Sequence, residues 1–257
     1  MKKLAAALAV MAGTGISAAA LAQAVVVSST GPSRASYPAG KRLAQGVTVT
    51  LQAGDRVTII DRAGSRVLSG PRSVVIDGAV NRDSTVAVQL GRSLSKPQPV
   101  RRAGAVRGPG DPPPAEPLPP TVWLADTGLN GRVCVLQGSD LYLWRAKADK
   151  RSFAWLGEAD GGGMVRLQFP ADVAGVAWPS GMVPLVDGRS YRLTDEANPD
   201  NFHDFEVVVL DPDTVPVDAQ GLAVTLLDNG CRAQFDWMAK KLEFEEAARV
   251  PPTEDGT

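Results

Sequence analysis

From residue 47 onward, alternating apolar and polar positions dominate the chain. Val47, Val49 and Leu51 alternate with Thr48, Thr50 and Gln52, the period-two signature of a strand buried on one face. Val57, Ile59 and Ile60 form the next apolar segment, Val67 and Leu68 another, and residues 74–76 a further one. Between them lie Ala53-Gly54-Asp55, Asp61-Arg62-Ala63-Gly64 and Ser69-Gly70-Pro71. Glycine supplies positive φ, proline a fixed φ and aspartate a local hydrogen bond, so these clusters predict tight turns. With an apolar strand at 25–28 and a loop carrying Tyr37, the segments predict a β-meander. Residues 85–94 fit either a strand or a short helix after Asp83-Ser84, with Val86, Leu90 and Leu94 on one face. Gly91 and Arg92 favour the helix, because they continue a strand poorly.

Past residue 120 the strands lengthen and gain aromatic residues. Trp123 sits in the first, Cys134 and Leu136 alternate with Val133, Val135 and Gln137 in the second, and Tyr142 and Trp144 alternate with Leu141, Leu143 and Arg145 in the third. Gly138-Ser139-Asp140 between the last two predicts a β-hairpin. Residues 152–156 follow, with Phe153 and Trp155 on one face, then strands at 165–169, 173–178, 191–193 and 205–210. Seven or eight strands with frequent turns predict a β-sandwich. The end of the chain switches period. Asp218 is placed to cap a helix over 219–228, and Asn229-Gly230 supplies a left-handed stop. Cys231, Phe235, Met238 and Leu242 then fall on one face of a second helix. The expected fold class is mainly β with a C-terminal α-helical hairpin: a small β module followed by a disulfide-stapled β-sandwich.

Residues 109–120 divide the two halves, and seven of the twelve are proline. Proline lacks an N–H and fixes φ, so the run predicts an extended spacer with separately folded bodies on either side. It is also a charge boundary. Residues 23–108 carry 13 Lys+Arg against 4 Asp+Glu, and residues 109–257 carry 12 against 24. A basic body beside an acidic one can dock within the chain or face different partners. Residues 96–107, with four positive charges and no negative one, read as a solvated basic tether. The expected plan is a signal peptide at 1–22, a basic β module at 23–95, a basic then proline-rich linker at 96–121, an acidic sandwich with helical hairpin at 122–247 and a tail at 248–257.

The signal peptide rests on Lys2 and Lys3, the alanine-rich apolar segment 4–20 and the small-x-small site Ala20-Leu21-Ala22. No later stretch approaches about 18 unbroken apolar residues, so no transmembrane span is expected after cleavage. Export places the protein in the periplasm or outside the cell. In that oxidising setting the two cysteines, Cys134 and Cys231, are expected to form a disulfide. Cys134 followed by Trp144 resembles the immunoglobulin pattern, but Cys231 lies too far along and lacks a preceding Tyr-x-Cys, so the expected sandwich is not an immunoglobulin domain.

The stretch LQAGDRVTIIDRAGSRVLSGP, residues 51–71, resembles the β-repeat of FecR-like periplasmic modules, with its glycine-aspartate and serine-glycine-proline turns. The wider arrangement is similar to secreted proteins of alphaproteobacteria that join such a module to a cysteine-stapled β domain. The resemblance implies a cell-envelope or signalling setting and carries over no catalytic residue.

Composition removes several chemistries. A single histidine, His203, lies in the polar stretch 198–204. It cannot furnish a histidine-rich metal site, and a serine triad finds no frame around it. Asp195, Glu196, Asp200 and Asp204 are oxygen-rich, but their spacing fits no EF-hand loop and reads as a solvated acidic loop. Tyr142 and Trp144 are the candidate binding patch, conditional on their facing solvent; the bland reading of the aromatic residues is core. The sequence thus leads to a non-enzymatic periplasmic binding, sensory or envelope-signalling accessory protein, with another envelope protein or a glycan as partner. It implies no cofactor, metal or nucleic acid. A carboxylate-dependent glycan hydrolase and a purely structural surface protein are the alternatives.

Overall fold

The computed structural model describes residues 22–61, 64–77, 119 and 121–247. Residues 1–21 of the expected signal peptide, the 85–94 segment, the basic run at 96–107, the proline run except Pro119 and the expected tail at 248–257 lie outside these residues.

The first half forms β1 (Ala22–Thr30), β2 (Arg42–Ala44), β3 (Thr48–Leu51), β4 (Arg56–Asp61), β5 (Gly64–Ser69) and β6 (Arg72–Val75). Their order is not a simple meander. One sheet runs β2-β1-β4-β5, and β3 leaves it to pair with β6. The reason lies in β1: Ala24, Val25, Val26 and Val27 are all buried, so this strand needs cover on both faces and takes a central place. The turns follow the sequence. Gly54 has φ of 82°, and Gly70 lies so close to the Gln52 carbonyl oxygen that no Cβ fits. The carboxylate of Asp55 accepts the backbone N–H groups of Ser33, at 2.8 Å, and Gln52, tying the preceding loop to this turn.

The second half forms β7 (Leu124–Asp126), β8 (Gly131–Leu136), β9 (Tyr142–Trp144), β10 (Ser152–Glu158), β11 (Val165–Phe169), β12 (Gly175–Ala177), β13 (Ser190–Asp195) and β14 (Phe202–Leu210). A five-stranded sheet runs β11-β10-β13-β14-β8, and a three-stranded sheet runs β12-β9-β7. Between them lies one apolar cluster, with Val133, Val135, Leu156, Leu167, Tyr191, Leu193, Phe205 and Val207 from the larger sheet and Ala125, Leu141 and Leu143 from the smaller side. Trp178 adds edge-on contacts to Tyr191 and Phe205, with centroids 5.0 and 5.9 Å apart. The expected hairpin across residues 138–140 does not form. β8 pairs with β14 in parallel, and β9 pairs with β7 and β12 in the other sheet. The turn therefore carries the chain from one layer to the other, because the strand on each side of it has its apolar neighbours in a different sheet.

Two helices close the described chain, α1 (Ala219–Asp228) and α2 (Arg232–Ala247). Asp218 caps α1 by accepting the Gly221 N–H at 2.8 Å, and Gly230 has the left-handed φ of 74° that ends it. Cys231, Phe235, Met238 and Leu242 are buried as one stripe. The Cys134–Cys231 disulfide, with a Cα–Cα distance of 5.8 Å, joins the start of α2 to β8.

The apolar cluster around this disulfide corrects the expectation of separate bodies. It contains Val122, Trp123, Cys134, Leu136, Leu210 and the helical residues Leu222, Leu226, Phe235 and Met238, together with Val25, Val27 and Ile60 from β1 and β4. The helical hairpin is thus shared, with the five-stranded sheet and the N-terminal sheet packed against it. The physical cause is the second apolar face of β1, whose Val25 and Val27 are covered by the helical hairpin. Polar contacts follow the same seam. Arg42 of the basic half pairs with Asp228, and Arg232 donates to the Ala39 carbonyl at 3.1 Å.

Candidate binding face

The five-stranded sheet has two faces, and side-chain alternation decides what each carries. Odd positions of β13 and β14, such as Leu193, Phe205 and Val207, enter the sandwich core. Even positions point the other way. At the β8 end this second face is covered by the helical hairpin, which buries Cys134, Leu136 and Leu210. Toward β11 the cover stops.

The uncovered part is built from β10, β11, β13 and the start of β14. Register places Trp155 opposite Arg166 on one side and Thr194 on the other, and Thr194 opposite Phe202. Trp155 is 37% exposed and Phe202 45%. Phe153 stands two residues before Trp155 on the same face, and Met164, 45% exposed, lies across Gly157 at the far end of the strand. Two arginines lock this surface. Arg166 lies over the Phe153 ring, 3.9 Å from its centroid, and grips Glu196 through two bonds of 2.6 and 2.9 Å. Arg192 lies over Phe202 at 4.3 Å and grips Asp204 through two bonds of 2.7 Å. The hydrogen bond from Arg166 holds the Glu196 carboxyl below the ordinary carboxylate range, and Arg192 does the same for Asp204. Both carboxylates stay charged and both arginines stay placed, each between a ring and an acid. The side chains present a flat, ordered surface whose charges are already balanced.

Tyr142 and Trp144, the candidate patch read from the sequence, do not form an open pair. Trp144 is 1% exposed and packs edge-on against Trp237 of α2, with centroids 5.2 Å apart; Tyr142 is half-buried. The smaller sheet turns this pair inward, toward the helix. The aromatic surface lies instead on β10 and β14. The sequence already placed Phe153 and Trp155 on one face, but Phe202, the first residue of β14, was hidden in the polar stretch 198–204. Of the acidic residues in that stretch, Glu196 and Asp204 are held by arginines rather than gathered, and among the described residues no three metal-ligating side chains cluster.

Two depressions flank the end of the sandwich. One, about 540 Å³, lies between the end of β7 and α2 and is lined by Asp126, Leu129, Trp237 and Lys240. Burial pushes the Asp126 carboxyl above its ordinary range, against the opposing pull of the Gly128 N–H and the neighbouring indole of Trp237. The other, about 400 Å³, opens between the ends of β9, β10, β13 and β14, with His203 in its wall. His203 therefore sits on a strand and is half-buried, not in an exposed loop.

No family model, curated protein or solved structure matches the chain. Among the described residues, no helix is long and apolar enough to cross a membrane.

Proposed function

We propose that the chain is a non-enzymatic binding protein of the periplasm that docks another envelope protein on the open face of its five-stranded sheet. The observation that carries this reading is the row of exposed Trp155 and Phe202 flanked by Arg166 and Arg192, each fixed on a ring by a two-bond ion pair. Tryptophan and arginine dominate the energetics of protein interfaces. Their immobilisation before binding lowers the ordering cost of association. These side chains stand on the outer face of a sheet with arginines and carboxylates already paired, which suits a protein surface better than a glycan. The disulfide supports an oxidising compartment, and the FecR-like turns agree with an envelope-signalling accessory role.

The test is site-specific photo-crosslinking in cells. A photoreactive residue at position 155 or 202 should give one discrete protein adduct, and the same residue at Val217, exposed elsewhere, should give none. The adduct at 202 should disappear when Arg192→Ala is added. Equal labelling at 155 and 217, or none at 155 and 202, rejects the reading. Retention of the chain on purified envelope glycan that Trp155→Ala abolishes would replace the protein partner by a glycan.

A further inference from the structure

The 400 Å³ depression at the mouth of the sandwich has a chemistry distinct from the open face. Arg145, at the end of β9, is half-buried there. Its guanidinium donates to the Ser152 hydroxyl at 2.9 Å, the Pro170 carbonyl at 2.6 Å and the Val173 carbonyl at 3.3 Å. All three acceptors are neutral. Arg132, Arg166, Arg189 and Arg192 of the same half each pair with a carboxylate, whereas Arg145 has no ion pair among the described residues. Only Asp149, out on the exposed β9–β10 connection, lies near enough to favour its charge, and burial works against that charge.

Two more groups converge. Lys147 lines the same depression and is exposed. His203 lines it as well, and its Nδ1 is buried with no hydrogen-bond partner. One acid, Asp195, is in the wall, where its carboxylate accepts the Ala197 N–H at 2.9 Å. Thr127, Ser152 and Asn201 add neutral polar groups, and Phe169 and Leu193 supply the apolar part of the wall, with the Phe169 ring centroid 5.4 Å from the Arg145 guanidinium. A half-buried cation without a carboxylate in direct contact is costly, and so is a buried polar atom without a partner. Both costs fall if an anion enters. The volume lies within the range of about 300–1,000 Å³ usual for small-molecule sites.

We infer that this depression binds a small organic oxyanion, its carboxylate or phosphate held by Arg145, Lys147 and His203 and its apolar body against Phe169 and Leu193. The inference is independent of the protein-docking face, because it uses neither Trp155 nor Phe202.

The single histidine makes the test direct, since its imidazole C–H signals are the only ones of their kind in the untagged chain. Proton NMR of the full chain in a phosphate-free buffer, at fixed pH and ionic strength, would follow these signals during titration with benzoate, phenyl phosphate and neutral benzyl alcohol. Benzoate or phenyl phosphate should shift the His203 signals saturably and benzyl alcohol should not; the tighter of the two anions names the headgroup. Loss of a charge-assisted bond worth about 1.5–3 kcal/mol makes Arg145→Gln weaken binding roughly tenfold to a hundredfold. If Arg145→Gln disturbs folding, Lys147→Gln, at an exposed position, still has to weaken binding severalfold with unchanged near-ultraviolet circular dichroism. Trp155→Ala should leave the affinity unchanged. The inference is overturned if neither anion gives a saturable shift up to about 20 mM, well above the roughly millimolar affinity of a weak site. Equal binding of benzyl alcohol, or indifference to Lys147→Gln, overturns it too.

Discussion

Gln234 is the residue whose loss should reveal how α2 is held to the sheet. It is 2% exposed and lies one turn into the helix. Its side-chain oxygen accepts the Cys134 N–H at 2.7 Å, and its side-chain nitrogen donates to the Cys134 carbonyl at 2.8 Å and the Val122 carbonyl at 2.6 Å. β8 is the last strand of its sheet, so the amide supplies at Cys134 what a further strand would have supplied. Gln234→Leu keeps the shape and the apolar contacts but takes away the amide from the buried Cys134 N–H and carbonyl, while the Val122 carbonyl still accepts the Leu124 N–H at 2.9 Å. Each such group costs about 1–3 kcal/mol. The two share one site that a water molecule can partly fill, so the costs do not simply add; about 2–4 kcal/mol is expected. With a urea slope of roughly 2–3 kcal/mol/M for a chain of this size, the midpoint should fall by about 1–2 M.

The charge variant separates this account from a packing effect. Gln234→Glu retains an acceptor for the Cys134 N–H but aims a carboxylate at two carbonyl oxygens. Burial and those carbonyls raise its folded pKa above the unfolded value. Such a group is least harmful below the unfolded pKa, and stability is lost as pH rises through the folded pKa. Gln234→Glu should therefore approach the wild type in acid, where the protonated acid can donate, and fall behind at neutral pH. Equilibrium urea unfolding with the disulfide intact measures both effects. A Gln234→Leu protein within about 0.5 kcal/mol of wild type would refute the bridging role, as would a Gln234→Glu deficit independent of pH.

The disulfide spans 97 residues, so converting both cysteines to alanine should cost about 4–5 kcal/mol on the chain-entropy account, and a loss under 1 kcal/mol in urea unfolding would show that packing alone holds the hairpin. Asp126→Asn should raise the midpoint of unfolding at neutral pH. Burial lifts the native carboxyl above its ordinary range, so ionisation costs stability as pH rises through the folded pKa, and the advantage of the amide should vanish in acid. Carbon NMR of the carboxyl groups should show Glu196 and Asp204 titrating below the ordinary range, with Arg166→Gln returning only Glu196 and Arg192→Gln only Asp204.

Alternation told which residues are buried but not which strand lies beside them. That is why the strands at Thr48–Leu51 and Val165–Phe169 and residues 205–210 of β14 were legible, along with the capped helix after Asp218 and the stripe through Cys231 and Phe235. The parallel pairing of β8 with β14 joins Cys134 to Val208, and no local turn announces such a contact. The same blindness misplaced the aromatic patch. Tyr142 with Trp144, and Phe153 with Trp155, have the same period; only the neighbouring layer decides that the first pair turns toward α2 and the second away from the core. The shared core was hidden for another reason. The proline run stiffens the chain locally, whereas Val25, Val27 and Ile60 act across space on helices more than 150 positions later.

The composition of the sheet's second face changes where the helices stop. Under the hairpin it is Cys134, Leu136 and Leu210, small or aliphatic and buried. Beyond it stand Phe153, Trp155 and Phe202, with Arg166, Arg192, Glu196 and Asp204 around them. Exposed ion pairs add little to stability, with a median near 0–1 kcal/mol, so the two arginine clamps do not account for themselves as struts. Exposed tryptophan and placed arginines are what the docking face proposed above would need. The disulfide fits the same division: it fixes the permanent cover at the β8 edge and leaves the rest of the face free for a second body.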